Sequence, residues 1–206
     1  MGHLLDGNWR QDDNDGRVRR GEFVRKGAQF RNRVTADGSS GYPAALRAEI
    51  DAVNALVYES INNGVYLCGF AATREAYERA FDKLFAGLDE MEARLARLRY
   101  LAGDRVTEAD WRLFPTLVRF DAVYVGHFKC NLRRIADYPN LSNYLRELYQ
   151  VPGIADTVDI GQIKRHYYGS HRNINPSGIV PKGPALDFDR AHDRARRFAA
   201  KEKAGA

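Results

Sequence analysis

The chain has 206 residues, 44% hydrophobic and 29% charged, with a net charge of +5. No stretch approaches the roughly 18 apolar residues of a membrane span. Two cysteines, Cys68 and Cys130, are too few for a disulfide framework, which fits a reducing compartment. The positive balance permits phosphate contacts, but the basic residues are interleaved with Asp and Glu, so a solvated surface is expected rather than a nucleic-acid site.

Residues 1–41 form a Gly- and Arg-rich stretch with Trp9, Phe23 and Phe30 as isolated apolar anchors. It holds too few apolar side chains to bury a core alone, so an irregular arm is expected, less ordered than the helical remainder of the chain. Its start, "MGHLLDGNWRQDD", lacks a signal-peptide core, and a cytoplasmic location is expected.

From Pro43 the pattern becomes helical. Leu46, Ile50, Val53, Val57 and Ile61 recur at spacings of four and three, with Pro43 suited to a first turn and "NNG" at 62–64 to a stop. A second helix is expected over about 72–99, with Tyr77, Phe81, Leu84, Phe85, Leu88, Met91, Leu95 and Leu98 on one side.

"GDRVTEADWRLFPTLVRFDAVY" opens the third helix. Thr107 can cap the amide of Asp110 while the Asp110 carboxylate reaches back to the amide of Thr107, a capping box. Val106 and Trp111 are placed for a hydrophobic staple. The run from Leu113 to Tyr124 is apolar on more than one face, as in a central buried helix, and Pro115 is expected to kink it. A fourth helix over about 140–150 turns Leu141, Tyr144, Leu145 and Leu148 inward, and a short one covers about 159–168. "GSHRNINPSGIVPKGP" reads as an irregular extension, with a polar helix or frayed tail after it. The division expected is an arm (1–41), a helical domain (42–169) and an extension with a polar tail (170–206).

These features define an all-α bundle, and its central Thr-x-x-Asp helix resembles the C-terminal domain of glutathione transferases. "NNGVYLCGFA", "YLAGDRVTEADWRLFPTLVRFDAVYVGHFKCN", "DYPNLSNYLRELYQVPG" and "IKRHYYGSHRNINPSGIVPKGP" resemble signature blocks of the glutathionyl-hydroquinone reductases, the Xi-class glutathione transferases. The arm resembles that family's N-terminal arm. The resemblance implies glutathione as the thiol, no metal, and glutathionyl-hydroquinones as substrates. It also implies a thioredoxin-like domain between arm and first helix, carrying a Cys-Pro-Trp-Ala nucleophile. Here "DGSSG" is followed at once by the first helix, neither cysteine precedes a proline, and no βαβ alternation occurs.

In the family reaction a thiolate attacks the sulfur of the conjugate and releases the hydroquinone, and a second glutathione frees the resulting mixed disulfide. That needs a cysteine of lowered pKa and a donor for the aromatic leaving group. Tyr66 and Tyr167 match the family's tyrosine positions, with Tyr124 and Arg119 as further candidates. The alternative for each tyrosine is packing at the domain rim, and for Tyr124 core packing.

Cys68 does not start a helix, and Cys130 comes after "HFK", where a cation can lower its pKa; both read best as buried bystanders. His127-x-x-Cys130 and His166-x4-His171 do not complete a four-ligand metal set. Asp121 is expected to satisfy a buried charge with Arg119 or Arg112. Two roles are open: a glutathione-dependent reductase or its inactive remnant, and a non-catalytic helical module. The module would bind a quinone-derived aromatic ligand, or associate with itself or a full-length relative through exposed apolar surface.

Overall fold

The computed structural model describes the backbone of residues 41–204 and side chains to residue 199. The expected arm, apart from Gly41, lies outside the described residues. Within them the chain is helical, and the only β element described is an isolated bridge between Tyr100 and Gly103.

Pro43 stands one position before the first turn, as the cap of a 3-10 turn at Ala44–Leu46, rather than inside the helix. Helix α1 (Arg47–Leu56) buries Ile50 and Val53, then widens into a π-helical turn, Val57–Asn62, that buries Val57 and Ile61. The expected stop at "NNG" does not occur. Asn63 stays right-handed helical, and α2 (Gly64–Gly69) continues directly. The reason is tertiary. Asn62 Nδ2 donates to Thr116 Oγ1 (2.6 Å) and the Arg112 carbonyl (3.2 Å), while Gly64 lies against Leu84, where an added Cβ would sit 3.4 Å from that side chain. The glycine serves close packing, not a left-handed cap.

Helix α3 (Arg74–Arg97) begins at Thr73, whose hydroxyl accepts from the Ala76 amide, and buries Leu84, Phe85, Leu88, Met91 and Leu95. It packs on α2, on the first π turn and on α6 (Pro139–Tyr149). Close approach is enforced at Gly87, where a Cβ would lie 2.3 Å from Ser60 Oγ. That hydroxyl donates to the Leu56 carbonyl at 2.6 Å, across the start of the π turn.

The expected capping box forms at α4 (Glu108–Arg119). Asp110 Oδ2 accepts from the Thr107 amide (2.7 Å) and hydroxyl (2.9 Å). Pro115 lies inside α4, and the helix runs through it before widening into a second π turn, Phe120–Tyr124. A short α5, Val125–His127, completes this central rod. Lys129 comes next but one with φ 60°, a left-handed residue that lets Phe128 and Cys130 both turn fully inward.

Helix α6 buries Leu141, Tyr144, Leu145 and Leu148, as its periodicity requires. Helix α7, Ile160–Ser170, is capped by Asp159, which accepts from the Gln162 amide, and packs on the second π turn. The extension is irregular but tied down: buried Lys164 donates from Nζ to the carbonyls of Lys182 (3.1 Å) and Gly183 (2.8 Å). The polar stretch becomes α8, Arg194–Ala204, whose first residue is completely buried.

Candidate functional site

Three tyrosines far apart in sequence meet at one end of the bundle. Tyr66 comes from α2, Tyr124 from the second π turn and Tyr167 from α7. Tyr167 is the hub: its hydroxyl lies 2.6 Å from that of Tyr66 and 3.0 Å from that of Tyr124. Widening of the central rod at Phe120–Tyr124 sets where Tyr124 points, and π turns commonly serve such placement. Tyr124 and Tyr167 are buried, while Tyr66 is half-buried and forms the outer end of the chain of hydroxyls.

Phe128 seals the inner side. Its ring stacks on Tyr124 at 5.5 Å and lies 5.3 Å from Tyr66 and 5.9 Å from Tyr167. Burial, reinforced by the neighbouring phenols, pushes Tyr66 and Tyr124 well above the ordinary phenol range, while the charge of Arg119 opposes the shift. Both therefore remain protonated donors throughout the physiological range. Three hydroxyls joined in series let the inner phenols donate toward Tyr66, so that donor strength is directed to the outer end of the chain.

Beside this cluster His127 and His171 stack at 5.2 Å, with His127 Nε2 3.0 Å from His171 Nδ1. Burial and the facing imidazole lower His127 to about 4, and Lys129 adds to this; burial and His166 lower His171. One ring must donate and the other accept, so the contact requires at least one neutral imidazole. A depressed pKa contributes stability above the unfolded value, and that contribution is lost as pH falls. Melting temperature is therefore expected to drop between about pH 6.5 and 4, with a shallower slope in His127→Gln over the same window. Equal slopes in the two proteins would remove His127 from the account.

The two cysteines are also brought together, although 62 positions separate them in the sequence. Both are free and buried. The neighbouring Cys68 thiol and burial push Cys130 up, and the same proximity holds Cys68 lower, while the Cys130 thiol donates to the carbonyls of Phe128 and Val65. Lys129 does pull Cys130 down, as expected of a cation there, but Cys68 and burial outweigh it. Native-state labelling with an aromatic disulfide reagent is expected to be at least ~100-fold slower than in denaturant, since thiolate and access are both needed.

Asp121 accepts from the amides of Ile135 (2.6 Å) and Ala136 (3.1 Å), and so anchors the turn Ile135–Asp137. Arg112 pairs with Glu108 at 2.6 Å, and among the described residues Asp121 makes no ion pair with Arg112 or Arg119. The pairing expected from spacing is therefore replaced by backbone capping. No group of three or more metal-binding side chains occurs among the described residues. None of their helices is long and apolar enough to cross a membrane. Phe128 and the His127–His171 pair went unread in the sequence as parts of this cluster; the dense aromatic run "VYVGHFK" after the central helix was the available signal.

Comparison with known proteins agrees with this architecture. Residues 74–147 match the family model for the glutathione S-transferase C-terminal domain. The chain thus carries a glutathione S-transferase C-terminal domain, and the proteins it resembles include glutathionyl-hydroquinone reductases and Xi-class transferases. It is 62% identical over 144 residues to the glutathionyl-hydroquinone reductase PcpF of Sphingobium chlorophenolicum, covering 70% of this chain and 46% of that protein. It is 52% identical over 157 residues to the glutathionyl-hydroquinone reductase YqjG of Escherichia coli, covering 76% and 48%. The glutathione-bound structure of YqjG superposes with a TM-score of 0.79 at 48% identity, covering 86% of this chain and 58% of that one. A Xi-class transferase from Phanerochaete chrysosporium superposes at 0.72, with 50% identity over 80% and 57%. The chain spans about half the length of the curated relatives it matches.

Proposed function

We propose that this chain is the aromatic-binding helical half of a glutathionyl-hydroquinone reductase, and that alone it does not complete the reaction. The carrying observation is the convergence of the Tyr66, Tyr124 and Tyr167 hydroxyls on one point. Protonated phenols there suit a leaving hydroquinone, because they donate to the departing ring while their own rings offer it a stacking surface. Exposed Leu67 lies next to Tyr66 on α2, and exposed Phe70, just past its end, packs 5.4 Å from Phe128 and extends the apolar surface. The missing component is a nucleophile. Cys68 and Cys130 are buried against one another, and the one nearer the tyrosines in sequence lies at the end of α2, away from a helix N-terminus.

The reading is tested by glutathione-dependent reduction of a glutathionyl-hydroquinone, using the purified chain beside the Cys68→Ala, Cys130→Ala double variant. Background rates in both, with saturable binding of a hydroquinone that weakens in Tyr167→Phe, are expected. Turnover lost only in the double variant would show that a native thiol acts, and would overturn the second half of the proposal. Unchanged binding in Tyr167→Phe would overturn the first.

A further inference from the structure

A second candidate site lies on other elements. Helix α6 and the segment leading into α8 enclose an open cleft of about 530 Å³, lined by Asn143, Arg146, Arg190, His192, Asp193 and Arg196. We infer that this cleft binds a small phosphate-type oxyanion, either inorganic phosphate or the phosphate group of a small monoester.

Two buried polar atoms at this cleft lack hydrogen-bond partners among the described residues. Arg146 Nη2 donates to Asn143 Oδ1 at 3.2 Å, but its Nε is buried with no hydrogen-bond partner among the described residues. His192 Nδ1 is buried and unpartnered in the same sense. A buried polar atom without a partner is costly, so two at one cleft call for ligand or solvent atoms to meet them.

Charge favours an anion over water. Burial and the nearby Arg190 hold the Arg146 guanidinium below its usual range, with Asp187 and Asp193 opposing. Both carboxylates keep their charge while accepting from amides, Asp187 from that of Arg190 at 3.0 Å and Asp193 from Asn143 Nδ2, but of the two Asp193 alone lines the cleft. Arg196 adds a third guanidinium to the lining. Water can satisfy a stranded N–H, but it does not relieve repulsion between guanidiniums. A dianion does both, and forked Arg donors match its geometry.

The cleft is also held in shape. Gln150 Nε2 donates to the carbonyls of Phe188 (2.8 Å) and Arg190 (3.0 Å), Phe188 packs on Tyr149 at 5.0 Å, and the Asp193 amide donates to Asn143 Oδ1 at 3.3 Å. Its volume exceeds the need of phosphate alone, leaving room for the organic part of an ester.

The test is thermal stability and titration calorimetry of the full chain with inorganic phosphate, glycerol phosphate or sulfate, against chloride at matched ionic strength. Saturable stabilisation by phosphate over chloride is expected, with binding at least tenfold weaker in Arg146→Met and in Arg190→Met. Arg165→Met, an exposed arginine on α7, is expected to bind as the parent does. Without phosphate, Arg146→Met is expected to be no less stable than the parent, because it removes the stranded Nε and the repulsion. A merely structural Arg146 would give the opposite. Tighter binding of glycerol phosphate than of phosphate identifies an ester site, and the reverse identifies the free ion. Stabilisation by chloride equal to that by phosphate, or unchanged binding in the exposed Arg190→Met, would overturn the inference.

Discussion

Replacing Arg194 with methionine is expected to destabilise the fold by about 3–5 kcal/mol, the cost of stranding one partner of a buried ion pair. Arg194 is fully buried, yet belongs to a stretch that reads as a polar tail. Its guanidinium closes the C-terminal end of α3: Nη1 donates to the Leu95 carbonyl at 3.2 Å, and Nη2 donates to those of Leu98 (2.8 Å) and Arg99. A cation is favoured there because the last carbonyls of a helix are unpaired and carry the negative end of its dipole. Nε lies 3.2 Å from Glu147 Oε2, and the guanidinium sits over the rings of Tyr144 and Phe198 at 5.6 and 5.1 Å.

Methionine can fill the space but satisfies none of the carbonyls. Glu147 would keep Arg99 and Tyr100 on Oε1, while Oε2 would lose the guanidinium that faces it. Arg194→Lys is expected to recover little, since an ammonium cannot fork across separate carbonyls and stack between two rings. Urea unfolding of the parent, Arg194→Met and Arg194→Met with Glu147→Gln checks this. The second change should recover part of the loss by removing the stranded charge. A loss under about 1 kcal/mol in Arg194→Met, no more than a surface pair contributes, would mean that α8 is not held through this residue.

Such a residue marks the limit of what the sequence discloses. The faces of α1, α3 and α6 were legible because burying a helix on one side forces a repeat of three and four, which Ile50, Leu84 and Leu141 obey. The capping box was legible because both partners lie three positions apart. Continuation through "NNG" was not, because Asn62 and Gly64 are held by Thr116 and Leu84, which no local window contains. Tyr66 and Tyr167 were singled out by family resemblance; periodicity alone leaves each as a rim residue. Their meeting with Tyr124 depends on a π turn and on the docking of α7, both set by tertiary packing. Arg194 reads as solvated because its partners are backbone carbonyls about a hundred residues away, and carbonyls have no sequence signature.

Asp110 shows the opposite case, a residue read correctly but too narrowly. As a helix cap it would contribute about 1 kcal/mol, within the range of roughly 0.5–2 kcal/mol for such residues. In the fold it also accepts from the Leu101 amide at 2.9 Å and from the Tyr144 hydroxyl at 2.7 Å, both on Oδ1, and it is fully buried. One carboxylate thus collects four donors from the 100–103 turn, the cap and α6, and so welds α4 to both neighbours. Burial raises its pKa while these hydrogen bonds pull it back. Asp110→Ala strands two amides that can only donate, along with two hydroxyls, at roughly 1–3 kcal/mol for each group left unpaired. Relief of the buried charge offsets part of this, and a net loss of about 4 kcal/mol is expected. Thr107→Ala should cost about 1–2 kcal/mol and Tyr144→Phe about 1 kcal/mol, since each removes a single partner. Asp110→Asn should fall between, because its amide nitrogen turns a donor toward donors. Adding Tyr144→Phe to Asp110→Ala should cost less than Tyr144→Phe costs alone, the mark of a shared network. Equal losses for Asp110→Ala and Thr107→Ala in urea unfolding would reduce Asp110 to the cap its sequence position suggests.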